Sequence, residues 1–590
     1  MFALRDEDAL GKVVSVDTGT VMVQVTDPER LQRLQVNRLV VLQARPGQPL
    51  IGIVRKITRQ MTEVGGAGDD GERLPGLDPS ENKLVRIALV GTLFHRAGTE
   101  RKVFRRSLET VPQIDALCFA LEGPDLTAFM QIVSRIGVDR GGPLSLGCYT
   151  LDPGAEALLN GNRFFQRHAV VVGSTGSGKS WTTARLLEQV AALPNANALV
   201  FDIHGEYGTL TGDGFRHLRV AGPADLDGGP ARPDVLFLPY WLLNYEALRT
   251  LLVDRSDSNA PNQSMLIGRL VREAKEEFLK EAGRSDLLPG FTVDSPIPFD
   301  IARVLDQLGE LNDAMEINPK TKRERQAEFN NKLGRMIARL EAKVGDRRHG
   351  FLFGGGEETR TLAYLDRLVE RLLAGRRGQP DGAGGVKIVD FSEVPSDILP
   401  LIVAMVAGLA FSVQQWTRSE RRHPIALFCD EAHNYIPDLS QDESEARVAV
   451  RTFERLAKEG RKYGVGLVII SQRPAEVSRT VISQCNNVVA MRLTNVEDQN
   501  RVRSLLPDTL AGFADLLPVL DVGEALVVGD ASLLPARVRI AEPRCKPDSR
   551  TIAFWTRWSQ DADAGGLGDA CDAWRRQSLA GAAVAMADEA

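Results

Sequence analysis

The octapeptide Gly173-Ser174-Thr175-Gly176-Ser177-Gly178-Lys179-Ser180 constrains this chain more than any other feature. It satisfies the phosphate-binding P-loop pattern at every position. His168-Ala-Val-Val-Val-Gly173 ahead of it reads as a buried strand, and Trp181 to Leu193 after it reads as a helix. Strand, glycine loop and helix in that order turn a motif into a predicted site. The glycines let the main chain turn tightly and aim its N–H groups at phosphate oxygens, at a helix N-terminus whose dipole favours anions. Lys179 is expected to reach the β- and γ-phosphates and Ser180 to hold Mg²⁺, with Trp181 carrying the binding segment into the helix. The competing reading is a glycine-rich structural turn.

A nucleotide site that hydrolyses its ligand needs an acidic pair at the end of another buried strand. Ile425-Ala-Leu-Phe-Cys429 is such a strand, and Asp430-Glu431 ends it. Asp430 is expected to bind Mg²⁺ through water, and Glu431 to orient and polarise the attacking water. The alternative is that both carboxylates cap the following helix. Asp430-Glu431-Ala432-His433 also spells the DEAH box of another helicase superfamily, whose other motifs are not apparent here.

Val465-Gly-Leu-Val-Ile-Ile470 is β-branched and apolar, and Ser471-Gln472-Arg473-Pro474 follows it. Gln472 there occupies a sensor position, able to touch both the γ-phosphate and the attacking water, and Pro474 stops the strand. Ala198-Leu-Val-Phe201 leads into Asp202-Ile-His204-Gly205-Glu206-Tyr207. Asp202 and Glu206 suit either a second acidic contribution to the metal–water site or ordinary turn chemistry. No Asn-Lys-x-Asp follows the core strands, so ATP rather than GTP is the expected nucleotide.

Gly173–Ser180, Asp202–Tyr207, Cys429–Pro437, Glu459–Gly464 and Ser471–Pro474 stand in the order seen in HerA-type ATPases. The chain resembles that family, which belongs with the FtsK-like DNA-pumping ATPases. Gly11 to Val25 and Gly52 to Ile57 resemble strands of the small β-barrel that precedes the ATPase core in HerA proteins. The resemblance covers most of residues 1–545. It implies a RecA-like P-loop α/β core, a homo-oligomeric ring that is hexameric, and ATP bound between subunits. Such a site takes a cation from the neighbouring subunit. Arg455 and Arg461, flanking Glu459-Gly460, and Arg167, directly before His168, are the arginine-finger candidates. The resemblance further implies translocation of double-stranded DNA and a partner effector. That effector is a NurA-type nuclease in DNA end resection, or a Sir2-type NADase or nuclease in phage defence.

Net charge is −6 and the pI about 5.8, which argues against general surface binding to DNA but not against a locally basic channel. Lys320–Arg325, Arg418–Arg422 and Lys458–Lys462 are the basic clusters, and solvated faces are their ordinary reading. Six scattered cysteines without a C-x-x-C pair suit reduced thiols in a cytoplasmic protein. No signal peptide is evident. Ile398 to Val413 is the most apolar stretch; interrupted by Pro400 and Gly408 and short of a membrane span, it reads as a buried core helix, so no membrane contact is expected.

The expected organisation is an N-terminal β-barrel over residues 1–150 and an ATPase core over 151–210 and 386–545. A mainly helical insertion fills 211–385, because Lys179 and Asp430 lie 251 positions apart, more than a minimal core requires. Ser264–Ala282 and Lys320–Val344 read as its amphipathic helices. A C-terminal extension, 546–590, offers Trp555, Trp558 and Trp574 for docking a short helix on a neighbouring subunit. The stretch 65–76 reads as a Gly- and Asp-rich loop and the last dozen residues as disordered. Two functions fit: an ATP-hydrolysing DNA motor, or an ATP-dependent oligomeric scaffold that controls a partner effector with little dependence on DNA.

Overall fold

The computed structural model describes residues 5–45, 48–61, 81–97, 100–136, 142–227, 232–320, 322–376, 384–439, 444–549, 552–559 and 566–577; the stretch 65–76 and the final dozen residues lie outside these. The chain divides into two compact units, Met1–Thr182 with Asn486–Glu542, and Thr183–Cys485 with Pro543–Ala590.

In the first unit, strands β1 (Gly11–Val16), β2 (Thr20–Gln24), β3 (Leu39–Leu42), β4 (Leu50–Met61), β5 (Glu81–Ala97) and β7 (Leu117–Ala120) form an antiparallel ring in the order β2-β1-β7-β3-β4-β5. Pairing of β5 back onto β2, with Val21 opposite Ile87, closes it into a barrel. Strand β6 (Glu100–Arg105) extends from β5. The barrel follows from alternation: Val13, Val21, Val23, Val40, Leu42, Leu50, Val54, Val85 and Ile87 point inward and are all buried. Burial also pushes the Cys118 thiol up to about 12.

The barrel ends earlier than residue 150. Strands β8 (Leu144–Tyr149) and β9 (Asp152–Leu159) join a second sheet of the same unit, through β21 (Ala536–Ile540). Their period-two pattern marks them as strands but carries no information about which sheet they enter. That sheet continues through β20 (Glu524–Gly529) and β19 (Asn487–Ala490) to β10 (Ala169–Val172), which pairs in parallel with β19. Arg106 ties barrel to sheet by donating to the carbonyls of Gly529, Ser532 and Leu533 at 2.7–3.0 Å. Asn487 fixes the start of β10, donating to the carbonyls of Arg163 and His168 and accepting from the Ala531 N–H at 2.8 Å.

The second unit holds a parallel sheet in the order β13-β12-β16-β11-β17-β18. These strands are Val235–Leu236, Phe215–Val220, Val386–Asp390, Ala198–Asp202, Ile425–Cys429 and Val465–Ser471. Strands β11, β17 and β18 are continuous apolar runs, buried throughout, as strands covered on both faces must be. Lys387 is a buried exception in β16. Its Nζ donates to Asn197 Oδ1 at 2.6 Å and the Ala374 carbonyl at 2.9 Å, and burial pushes it down to about 7.

Two expectations for residues 211–385 change. β12 and β13 belong to the parallel sheet, so the helical segment begins later; β12 was disguised by the charges of Arg216 and Arg219 on a strand with only a two-residue neighbour outside it. Ala260–Glu281 is a helix as the pattern predicts, but Lys320–Val344 is not one helix. β14 (Met315–Ile317) and β15 (Glu324–Gln326) form a hairpin there, turned by Asn318-Pro319 and by Lys322 at φ +56°, and the helix starts at Gly334. The apolar stretch at 398–413 is the helix Leu399–Trp416, the one described helix long and apolar enough to cross a membrane; most of its residues are buried in the unit. Trp555, Trp558 and Trp574 stand exposed on short helices, Phe554–Trp558 and Leu567–Arg576.

Gly91 in β5 gives a test of the barrel. A Cβ there would collide with the Arg105 carbonyl and come within 2.7 Å of the Phe104 ring. Gly91→Ala should cost about 1–3 kcal/mol of stability through overpacking. Denaturant unfolding followed by limited proteolysis should locate the weakening in residues 5–120.

Candidate nucleotide site

In the first unit, β10 is buried over its whole length and delivers the chain to the glycine loop; the helix Lys179–Ala191 begins directly after it. Gly176 and Gly178 take φ +74° and +105°, a region that side chains resist. A Cβ on Gly178 would also stand 2.9 Å from Met491 Cε. The loop is braced from β19 and the turn before β20. Ser174 N–H donates to the Arg492 carbonyl at 2.9 Å, and Gly523 N–H to the Ser177 carbonyl at 3.0 Å. Thr175 and Gly176 form the exposed crown, while Ser177, Lys179 and Ser180 are buried and Trp181 is half-buried. Ser177 Oγ is buried with no hydrogen-bond partner among the described residues. A buried polar hydroxyl, a buried ammonium and a loop that tolerates no extra carbon fit an anionic ligand such as a triphosphate.

In the second unit, the parallel register aligns carboxylates at the C-terminal ends of neighbouring strands. Asp202 of β11 pairs with Asp390 of β16, and Asp430 directly follows β17. This is the edge where open α/β sheets bind ligands. Asp202 accepts N–H groups from Glu206 at 3.0 Å and Tyr207 at 2.9 Å, so it does perform turn chemistry. Burial, aided by the charges of Asp430 and Asp390 and opposed by those two hydrogen bonds, raises its carboxyl to about 7. Glu206 is half-buried and its carbonyl accepts from Asp548 N–H at 2.8 Å; His204 is exposed.

Asp430 and Glu431 are both buried. Tyr435 donates its hydroxyl to the Asp430 carbonyl at 2.9 Å, and burial holds that phenol well above its ordinary value. Glu431 sits at φ +43°, ψ +47°, left-handed backbone that costs a non-glycine residue of order 1 kcal/mol or more and marks functional sites. The capping alternative fails: only a short 3-10 turn, Ala432–Asn434, follows, and the Glu431 side chain makes no cap hydrogen bond to it. Instead, Glu431 Oε1 accepts from Gln472 Nε2 at 2.6 Å. Its other oxygen, Oε2, lies 3.3 Å from His433 Nδ1.

The arginine candidates occupy their own surfaces. Arg455 lies over the Phe411 ring at 4.7 Å and 3.6 Å from Glu459 Oε2. Arg461 is exposed in the turn Gly460–Tyr463. Arg167 stands 3.9 Å from Asp530 Oδ2. Sequence reasoning passed over Asp390, Ser471 and His433. For Asp390 the signal was present, since it ends an apolar strand just as Asp202 does.

Among the described residues no three His, Cys, Asp or Glu side chains converge as a metal cage. Sparse protein ligands suit Mg²⁺, which is bound by one or two carboxylates together with substrate phosphates and water.

Residues 144–409 match the family model described as Helicase HerA, central domain. The DNA double-strand break repair helicase HerA of Pyrococcus furiosus is 25% identical over 433 residues, spanning 67% of this chain and 69% of that protein. Over this span the chain is similar to the HerA helicases. The HerA of Sulfolobus acidocaldarius is likewise 25% identical, over 63% of this chain and 64% of its own length. A probable helicase of Methanocaldococcus jannaschii is 23% identical over 89% of this chain and 96% of its own length. Among solved structures, VirB4 of Thermoanaerobacter pseudethanolicus matches at 16% identity and TM-score 0.45, covering 69% of this chain and 98% of that one. The conjugative coupling protein TrwB matches at 12% identity and TM-score 0.43, covering 71% and 93%. With its HerA-type P-loop and acidic strand end, the chain is an ATPase.

Two outcomes test the site. Gly178→Ala should strongly weaken binding of a fluorescent ATP analogue without unfolding the protein, because a side chain at φ +105° strains the loop alone. Asp202 gives a pH signature. The unfolded carboxyl ionises near about 4, while the native one keeps its proton to about 7. The native state therefore holds more protons across that window, and this group's contribution makes stability fall as pH rises through it. Asp202→Asn should flatten that decline in thermal unfolding measured with a metal chelator present.

Proposed function

We propose that this HerA-type ATPase is a ring-forming motor that hydrolyses Mg-ATP and moves double-stranded DNA. The observation that carries the hydrolytic part is the Glu431–Gln472 pair. A buried carboxylate on strained backbone, held by an amide from the neighbouring strand end, is a general base kept in one orientation. In the reaction, a water oxygen bonds to the γ-phosphorus as the bond to the β–γ bridging oxygen breaks. Glu431 takes the water proton, Gln472 orients the base, and Lys179 offsets charge on the β- and γ-phosphates. Mg²⁺, when bound, supplies charge neutralisation on the phosphate oxygens, and Ser180 and Asp430 supply its protein ligands. Gly173 to Gly178 hold the phosphates through backbone N–H groups, while Trp181 extends the binding segment. Asp202, carrying a proton near pH 7 and facing Asp430 electrostatically, keeps the acidic edge from accumulating charge.

The HerA relatives named as double-strand break repair helicases support DNA as the track. A hexameric ring with an arginine from the next subunit (Arg455, Arg461 or Arg167) completes this reading, as does docking of the exposed Trp555, Trp558 and Trp574. It places the protein in the cytoplasm, beside a nuclease or other effector. The acidic net charge of −6 favours the second reading, a ring that controls its effector with little need of DNA.

ATP turnover measured against added double-stranded DNA, at low and high salt, separates the two. Salt-sensitive stimulation supports the motor, because phosphate contacts release counterions. Turnover indifferent to DNA supports the effector-controlling ring. Glu431→Gln should bind ATP yet hydrolyse it about 10²–10⁴-fold more slowly; near-normal turnover removes Glu431 from its role. Rings mixing Lys179→Ala subunits with Arg455→Ala, Arg461→Ala or Arg167→Ala subunits should regain activity only for the arginine that acts in trans.

A further inference from the structure

Glu431 is held at one carboxylate oxygen from the end of β18 and approached at the other by His433, from the turn after β17. Oε1 is held directly by Gln472 Nε2 at 2.6 Å. Oε2 lies 3.3 Å from His433 Nδ1, and that nitrogen is 3.2 Å from Ser471 Oγ. Ser471 is fully buried, and its oxygen already accepts the Arg473 N–H at 3.0 Å. Its hydroxyl proton is therefore available to His433. One ring nitrogen thus stands between two oxygens and can serve only one proton at a time. In this structure the nitrogen is hydrogen-bonded with Ser471 and lies near Oε2 without hydrogen-bond geometry; a turn of the ring that brings an N–H onto Oε2 would exchange the one partner for the other.

We propose that His433 is a positioning residue for hydrolysis: it links the second oxygen of the base Glu431 to Ser471, so that release of the base and movement of the sensor residue Gln472 are one event. Gln472 and Ser471 are adjacent in the chain, so a movement of that strand end shifts the partner of Glu431 and the partner of His433 together. This rests on the assignment of Glu431 as the base. The backbone supports the linkage. The left-handed Glu431 and the tight turn after it, closed by the Asn434 N–H on the Glu431 carbonyl at 2.9 Å, bring the side chains of residues 431 and 433 to the same strand end.

The test compares His433→Ala, His433→Asn and Ser471→Ala in single-turnover ATP hydrolysis and in ATP affinity. An asparagine amide reaches the place of Nδ1 and can bridge the same two oxygens. His433→Ala should slow hydrolysis about tenfold or more, part of the ~10²–10⁴ that a positioned base contributes. ATP affinity should stay within about twofold, since the loss lies in the chemical step. His433→Asn should recover most of the rate, and Ser471→Ala should show a smaller loss of the same kind. In a Glu431→Gln background, His433→Ala should cost nothing further, because its effect passes through Glu431. Hydrolysis by His433→Ala within about twofold of the natural protein, or an equal additional loss in the Glu431→Gln background, overturns the proposal. Normal turnover by Glu431→Gln alone overturns the base assignment beneath it, and so identifies which of the two has failed.

Discussion

A carboxylate removed from water must be paid for by hydrogen bonds, and in this chain the cost is concentrated at the C-terminal edge of one parallel sheet. Asp202, Asp390 and Asp430 end neighbouring strands, and Glu431 adds a fourth acid within a residue of the third. Apolar runs behind them tolerate buried acids at a cost that hydrogen bonds or a retained proton offset. Asp202 is answered by two backbone N–H groups and by retaining its proton, Glu431 by an amide from the next strand. The register of the sheet supports all of it: a slip of one residue would turn each acid to the opposite face.

The phosphate cradle obeys a different constraint. Its geometry is set by backbone conformation, with Gly176 and Gly178 at positive φ that side chains resist and Met491 close beside Gly178. One half of the chemistry is therefore shaped by backbone that side chains would strain, the other by satisfying charges that are present. The two failure modes differ accordingly. On the proposed function, distorting the cradle should remove binding, whereas altering the acidic edge should leave binding and alter the reaction.

Much of this was legible in the residues. Buried parallel strands write themselves as unbroken apolar runs, so β10, β11, β17 and β18 and the acids that end them could be placed from sequence, as could the P-loop. What stayed hidden were relations between distant residues. The spelling Asp430-Glu431-Ala432-His433 gives no hint that His433 turns back toward Ser471, because that depends on the left-handed backbone at Glu431. Strand β8 lies within the range that alternation suggests for the barrel yet pairs with β21, since alternation records a face and not a neighbour. β12 was lost among charges, and the second strand of the hairpin, Glu324–Gln326, was lost at the start of the helical-looking pattern Lys320–Val344. A cation supplied by another subunit is beyond a single chain in principle, because its partner site lies on a second copy.

The helix Leu399–Trp416 has a consequence for the chain's biogenesis. Its apolar face is covered in part by the helix Ser444–Glu459, where Arg455 lies over Phe411. Its covering strands and helices include segments made after it. Until about fifty more residues have left the ribosome, a cellular machinery that sorts nascent chains by hydropathy meets a segment as apolar as a membrane span. The interval between synthesis of Leu399 and arrival of β18 is thus the moment when this ATPase most resembles a different class of protein, and when a chaperone has most to shield.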